Sequence, residues 1–231
     1  MTKKHTLEVF DQDLELLRNE VQHLACLTEE ELERALHALL NDDRELAQDV
    51  VASDAAADRL QQQINSNMHI VLARQQAMAD DLREILASGR IAAHLERMAD
   101  YAKNTAKRTQ VLHGKIGAEI GEQFTWMNER VIAMLRQVMG AYLERDAEAA
   151  NVAWSSDIEL DRMYGKLFVC LLEQMRDNPA SIKDATQLLF IAKGLERAGD
   201  HVTDIAEEVY LMVRGIPLQG PRPRIDTISP E

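Results

Sequence analysis

The sequence predicts an all-α protein built as two tandem, pseudo-symmetric three-helix bundles of long antiparallel helices. One observation is the near-match of His94-Leu95-Glu96-Arg97-Met98-Ala99-Asp100 with Gly194-Leu195-Glu196-Arg197-Ala198-Gly199-Asp200, one hundred residues apart, the mark of a duplicated helical unit. Another is composition: 46% hydrophobic but only 4% aromatic, with helix formers prevailing over strand formers. The third is proline placement. Pro217, Pro221, Pro223 and Pro230 crowd into the last fifteen residues, leaving Pro179 alone within residues 1–216, as a chain of long uninterrupted helices requires.

The first helix is predicted from near His5, where Leu7, Phe10, Leu14, Leu17, Val21 and Leu24 begin a three-and-four spacing. Thr28 and Glu31 have capping-box spacing, but no Gly or Pro interrupts the chain there, so one helix is expected to about residue 40. Asn41-Asp42-Asp43 supplies a polar turn and an N-cap. The second helix carries Leu46, Val50, Ser53, Ala57, Leu60, Ile64, Asn67 and Val71 in strict four-three alternation, with a break expected near residues 75–80. The third holds Leu82, Ile85, Gly89, Ala92, Glu96 and Ala99 and runs to about Leu112, which puts Glu96 on or beside the core-facing stripe. Gly114, Gly117 and Gly121 mark the junction between halves.

The fourth helix is expected over 119–144 and the fifth over 147–176, the fifth carrying Trp154, Ile158, Asp161, Gly165, Phe168 and Leu172, and Asn178-Pro179 then starts the sixth. The sixth follows Leu188, Ala192, Leu195, Gly199, Val202, Ala206, Val209 and Val213. The expected division is therefore 1–113 for the first bundle, 114–214 for the second, and 215–231 for a flexible Pro-rich tail. At 1.5 Å per residue, helices of about 30 residues reach about 45 Å.

The net charge of −13 argues against nucleic-acid binding, which depends on Lys and Arg neutralising phosphates. Cys26 and Cys170 are isolated, suiting a reducing compartment. No stretch approaches the roughly 20 apolar residues of a bilayer span, and the N-terminus shows no apolar signal core. The expected location is cytoplasmic, with membrane contact only through docked protein partners.

Each half contains two acidic pairs in one order. Asp54 and Asp58 precede Glu96 and Asp100, and Asp157 and Asp161 precede Glu196 and Asp200, followed by Asp204. A four-residue spacing puts both carboxylates on one helix face. With 39 acidic residues in 231, about six or seven such pairs arise by chance in a helical chain, so repetition in matched contexts is what carries weight. Two candidate hard-oxygen metal sites follow: Asp54, Asp58, Glu96 and Asp100, then Asp157, Asp161, Glu196, Asp200 and Asp204, suited to Mg²⁺, Mn²⁺ or iron. The second is richer because Asp204 stands where the first has Asn104. The opposing reading is solvent-facing charge paired with Arg97 and Arg197.

The duplicated Glu-x-x-His pairs of ferritin-like di-iron bundles are absent, as are GxSxG, HExxH and GxxxxGK[ST], so no enzyme activity is expected. His94 and His201 read as surface residues, and Trp126 and Trp154 as mainly buried aromatics.

Over residues 5–214 the chain resembles the PhoU family of phosphate-uptake regulators. The start His5-x₄-Phe10-Asp11-x₂-Leu14, the paired D-x₃-D segments, and LERMADYAKNTA with LERAGDHVTDIA carry the likeness. Ala77 stands where family members commonly have Pro. The resemblance implies two similar three-helix bundles and multinuclear metal clusters, iron or zinc among the candidates, on Asp54, Asp58, Glu96, Asp100, Asp157, Asp161, Glu196, Asp200 and Asp204. It also implies a homodimeric adaptor that restrains the phosphate-starvation response, acting between the phosphate ABC transporter ATPase and a phosphate-sensing histidine kinase. A metal-storage or metal-dependent hydrolytic bundle, and a purely structural helical protein, are the competing classes.

Overall fold

The computed structural model describes residues 2–74 and 79–220, with side chains from residue 10 onward. Among these residues the α-helices are α1 (Thr2–Asn41), α2 (Arg44–Ser53), α3 (Ala55–Arg74), α4 (Asp80–Thr109), α5 (Ala118–Glu144), α6 (Ala147–Trp154), α7 (Ile158–Asp177) and α8 (Ile182–Arg214), and no strand occurs. A 3₁₀ turn over Pro179–Ser181 leads into α8. Of the break expected near residues 75–80, residues 75–78 with the Ala77 departure lie outside the described residues, as do the side chains of His5 and Leu7 and the tail beyond residue 220; α3 ends at Arg74 and α4 begins at Asp80.

The predicted second and fifth helices each prove to be two. Ser53 Oγ donates to the Val50 carbonyl at 3.0 Å, and Ser155 and Ser156 donate to Val152 and Ala153 at 3.1 and 2.7 Å. Short hydroxyls that claim the last carbonyls of a turn compete with the backbone ladder and bend it. The helix resumes at once, with Asp58 N–H bonded to Asp54 O at 3.2 Å and Asp161 N–H to Asp157 O at 3.1 Å. Because the apolar stripe crosses each joint in step, periodicity alone hides it.

The turn that precedes each broken helix is the same in both halves. Asp42 (φ 54°) and Arg145 (φ 53°) take left-handed backbone, and the next residue, Asp43 or Asp146, caps the new helix by accepting from Leu46 N–H or from Glu148 and Ala149 N–H. Gly215, at φ 72°, ends α8 with its N–H on Leu211 O at 2.9 Å, a conformation that suits a residue without Cβ.

Within the first half, α1 and α4 run parallel and α2/α3 return between them; α5, α8 and α6/α7 repeat the plan. The halves meet where α4 packs antiparallel on α8 and α1 packs on α5, while α2/α3 and α6/α7 touch only their own half. Arg83 reaches the Met212 carbonyl, His94 meets His201 and Arg108 meets Gln187, which fixes the α4–α8 register along its length. Buried side chains of both halves form one continuous core.

A polar knot crosses that core. Glu84 on α4, 1% exposed, accepts from Arg18 of α1 and from Arg145 at the end of α5, the latter at 2.5 Å. Beside it the Ser88 and Tyr142 hydroxyls share a hydrogen bond of 2.8 Å. Removing one member of a buried ionic group leaves the rest uncompensated. Glu84→Ala is therefore expected to cost about 3 kcal/mol, read as a lower urea midpoint with unchanged slope.

Close helix approach marks a second sensitive point. A Cβ added at Gly199 would stand 2.3 Å from Leu160 Cδ2, and Leu160 is fully buried. Gly199→Ala should destabilise by about 1–3 kcal/mol through overpacking, measured by the same unfolding curve.

Candidate functional site

The two helix joints set the first acid of each pair. Asp54 occupies the α2–α3 joint and is 6% exposed, and Asp157 stands at the residue before α7, without a side-chain capping bond, and is 2% exposed. Asp58 and Asp161 follow one turn later, half-buried. Facing them stand Glu96 and Asp100 on α4, and Glu196 and Asp200 on α8, also half-buried. Buried Ala57 on α3 and the Gly199–Leu160 contact are the small-residue approaches that allow each facing pair to come close.

In the first half the carboxylates already hold a cation of their own chain. Lys103 Nζ lies 2.7 Å from Asp54 Oδ2 and 2.8 Å from Asp100 Oδ1. Burial opposes its charge, but the hydrogen bonds to Asp100 and Asp54 outweigh that and hold the ammonium above its usual range. The Asn104 amide donates to Asp100 Oδ2 at 3.4 Å. Glu96 is pushed up first by burial and then by Asp100, Asp58 and Asp54, against the pull of Arg97, so all four predicted carboxylates of this half share one electrostatic neighbourhood.

Glu31 of α1 joins them. It is 4% exposed, and its Oε1 accepts from Ser53 Oγ at 3.3 Å. Thr28, despite its capping-box spacing from Glu31, shares its hydroxyl proton between Leu24 O at 2.9 Å and Leu95 O on α4 at 3.3 Å, and α1 continues unbroken, as expected. The signal was present in the stripe Leu17, Val21, Leu24, Thr28, Glu31, Ala35, Ala38, whose four-three steps carry Glu31 inward. Lys103 likewise continues the row Glu96, Asp100, Lys103 on one face of α4.

The second half differs at both points. Thr203 stands where the first half has Lys103, and Met134 where it has Glu31. Thr203 is buried, its hydroxyl donating to the Asp200 carbonyl at 2.7 Å. Glu196 is pushed up by burial, with Asp200 and Asp161 adding to the rise and the Lys193 ammonium, 2.6 Å away, opposing it. Asp161, Glu196 and Asp200 therefore face one another, with Asp157 one turn behind Asp161.

Asp204, one turn beyond Asp200 on α8, lies against histidines. His94 Nδ1 is 3.0 Å from His201 Nδ1, and the two lie 3.7 and 3.5 Å from Asp204 Oδ2. The surface reading of both histidines is corrected: α4–α8 packing turns them toward each other and half-buries them, and Tyr101 stacks on His201. Burial pushes His94 down, against the pull of Asp204. Trp154 is buried and donates to Glu207 at 2.7 Å, as a mainly buried aromatic should. Trp126 is 58% exposed, contrary to expectation, because it lies off the inward stripe of α5.

The PhoU domain model matches residues 21–109 and again 124–209. This chain belongs to the PhoU family. Among relatives, the phosphate-specific transport system accessory protein PhoU homolog of Rhizobium meliloti is 39% identical over 99% of this chain and 97% of its own length. That of Zymomonas mobilis is 39% identical over 91% and 89%. The crystal structure of PhoU from Pseudomonas aeruginosa superposes with TM-score 0.84 at 29% identity, covering 90% of this chain and all of that one. The phosphate transport system regulatory protein PhoU from Streptococcus pneumoniae gives 0.84 at 28%, covering 91% and 99%. The PhoU fold is thus present with both acidic rows, the first of them internally neutralised in part by Lys103.

Glu31 makes the first face pH-sensitive. Burial first, and the Asp54 charge second, raise its carboxyl from 4.5 to about 7. A carboxyl raised on folding stabilises the protein below its unfolded value, and that contribution is lost as pH climbs through the folded one. In chelator, wild-type stability should fall between about pH 4.5 and 7. Glu31→Gln should flatten this fall in urea unfolding and exceed wild type above pH 7.

Proposed function

We propose that this protein is an accessory regulator of phosphate uptake that restrains the phosphate-starvation response, working as an adaptor between the phosphate transporter's ATPase subunit and a phosphate-sensing histidine kinase. What carries the reading is the family match in both halves, together with relatives named as phosphate-specific transport accessory proteins over nearly the whole chain. The long helices offer extended contact faces, and a net charge of −13 complements basic patches on a partner. Among the described residues no helix is long and apolar enough to cross a membrane, in keeping with a cytoplasmic protein that reaches the membrane through its partners. The role assigned is binding rather than catalysis, in a homodimer.

The acidic faces are proposed to bind metal, with iron, zinc, Mn²⁺ and Mg²⁺ as candidate ions. The donor chemistry fits hard cations best in the second half, where Asp157, Asp161, Glu196, Asp200 and Asp204 would supply oxygens and Thr203 replaces the lysine. In the first half Asp54, Asp58, Glu96 and Asp100 would have to release Lys103 from its two ion pairs before a metal could replace it. A bound cation would offset the repulsion among the carboxylates and stabilise the fold. The lysine difference makes the halves separable by experiment. Lys103→Thr should lower stability in chelator and raise the affinity of the first face for Mn²⁺ by at least about tenfold, a gain of 1.4 kcal/mol, measured by calorimetry and metal analysis. Equal Mn²⁺ binding by variant and wild type would reject the neutralising role of Lys103.

The adaptor reading is tested by pulldown with the transporter ATPase and the sensor kinase, comparing wild type with Glu196→Ala/Asp200→Ala and quantifying bound metal. Retention of both partners by the wild type is expected. Capture of neither would overturn the adaptor role, whereas loss of metal and partner together would place the second acidic face within the regulatory interface.

A further inference from the structure

We propose that His94, His201 and Asp204 form a binding site for one borderline transition-metal ion, Zn²⁺ being the representative case, clamped between α4 and α8. Among the described residues they are the one set of potential metal-ligating side chains whose donor atoms all lie within 4.8 Å of one another. The three separations are 3.0, 3.5 and 3.7 Å. Ligands held about 2.0–2.2 Å from a tetrahedral zinc stand about 3.3–3.6 Å apart, so the cluster needs only small rotamer adjustments to enclose an ion. Two imidazoles and one carboxylate form a set suited to Zn²⁺, Co²⁺, Ni²⁺ or Cu²⁺, unlike the all-carboxylate faces, which suit harder ions. The site remains reachable, since the side chains of His94, His201 and Asp204 are 25%, 21% and 42% exposed, leaving a solvent-facing position for water or an external ligand.

The internal repeat sharpens the assignment. At the matching positions the other half carries Gly194, Tyr101 and Asn104. Gly194 and Tyr101 also face each other, a Cβ at Gly194 standing 3.8 Å from Tyr101 Cβ. Three departures from the repeat thus meet at one point, on one side of the pseudo-twofold relating α4 to α8, and all three supply a metal-binding group. Tyr101, stacked on His201 with ring centroids 5.8 Å apart, limits the freedom of that imidazole. The present Nδ1 to Nδ1 hydrogen bond places a proton where the ion would sit, so metal uptake requires the donor ring to change tautomer and carry that proton on Nε2. Asp204 is shared with the acidic row of α8, but the nitrogen ligands distinguish this site from that row.

The test uses the full chain, stripped of metal and titrated with Zn²⁺ by calorimetry, with Cu²⁺ as a paramagnetic probe. Expected for wild type is a first equivalent whose Cu²⁺ resonance shows coupling to two imidazole nitrogens. His94→Gln and His201→Tyr should each remove one nitrogen coupling and weaken the first equivalent by at least about tenfold. Glu196→Gln/Asp200→Asn, which disables the acidic face, should leave both couplings in place. Circular dichroism and thermal melting identify any variant that fails to fold, and Asp204→Asn then supplies the affinity comparison. Absence of nitrogen coupling in the wild type, or first-equivalent binding indifferent to every folded histidine variant, would overturn the proposal. Loss of the couplings in the acidic-face variant would overturn it as well, by making the histidines part of that face.

Discussion

The antiparallel packing of α4 against α8 is the constraint on which the molecule depends. Both helices are fully committed: α4 buries Ile91, Ala92, Leu95, Met98 and Ala99, and α8 buries Ile191, Ala192, Leu195 and Ala198. The small side chains among them allow the axes to come close. Once this pair is in register, α1 and α5 pack across the halves and each broken middle helix is held on the outside. Close packing tolerates little slippage, so the position of every acid on α4 and α8 follows from this one contact. The Glu84 knot ties three helices at a single buried charge, which fixes alignment where apolar contacts alone would tolerate more sliding.

The bends between α2 and α3 and between α6 and α7 give the acidic faces their form. A straight helix would carry both acids of each pair on one face. The serine-induced joints instead leave the first acid of each pair at the bend, with its backbone carbonyl still bonded to the N–H of the second. That arrangement buries Asp54 and Asp157 while leaving Asp58 and Asp161 partly in water. Burying charge costs free energy unless it is compensated, and the halves answer that need differently. The first sets Lys103 between Asp54 and Asp100, whereas the second has Thr203 at that position and sets Lys193 beside Glu196. The duplicated scaffold is thus electrostatically asymmetric.

Much of this was legible in the residues. The four-three stripes located the inward faces except in the fifth predicted helix, where Phe168 and Leu172 are exposed and Leu160, Leu167 and Leu171 are buried in their place; Asp43 and Asn178-Pro179 located helix starts, and the duplicated ExxxD rows located the acids of α4 and α8. Glu31 lies on the stripe of α1 and Glu84 on a second buried row of α4 with Ser88, Ile91 and Leu95, but periodicity reports only that a position faces inward, and a glutamate there requires a partner the pattern does not name. Ser53 and the Ser155-Ser156 pair passed unnoticed as joints because a bend between two helices in phase leaves the spacing unchanged. Lys103 was visible one turn beyond Asp100, yet its ion pair with Asp54 depends on how far the α2–α3 joint stands from α4.

The sequence by itself determined the helical class, the duplication, most inward faces and the identity of the candidate acids, because these follow from local propensity and from a 3.6-residue period that each segment carries alone. Only the tertiary structure decided which charge neutralises which, that Glu31 joins the first face, and that His94 and His201 turn toward each other. Those outcomes depend on the separation and rotation of helices distant in sequence. They are set by the fit of side chains across α1–α4, α3–α4 and α4–α8, where a rotation of a few tens of degrees would carry a buried ligand into water.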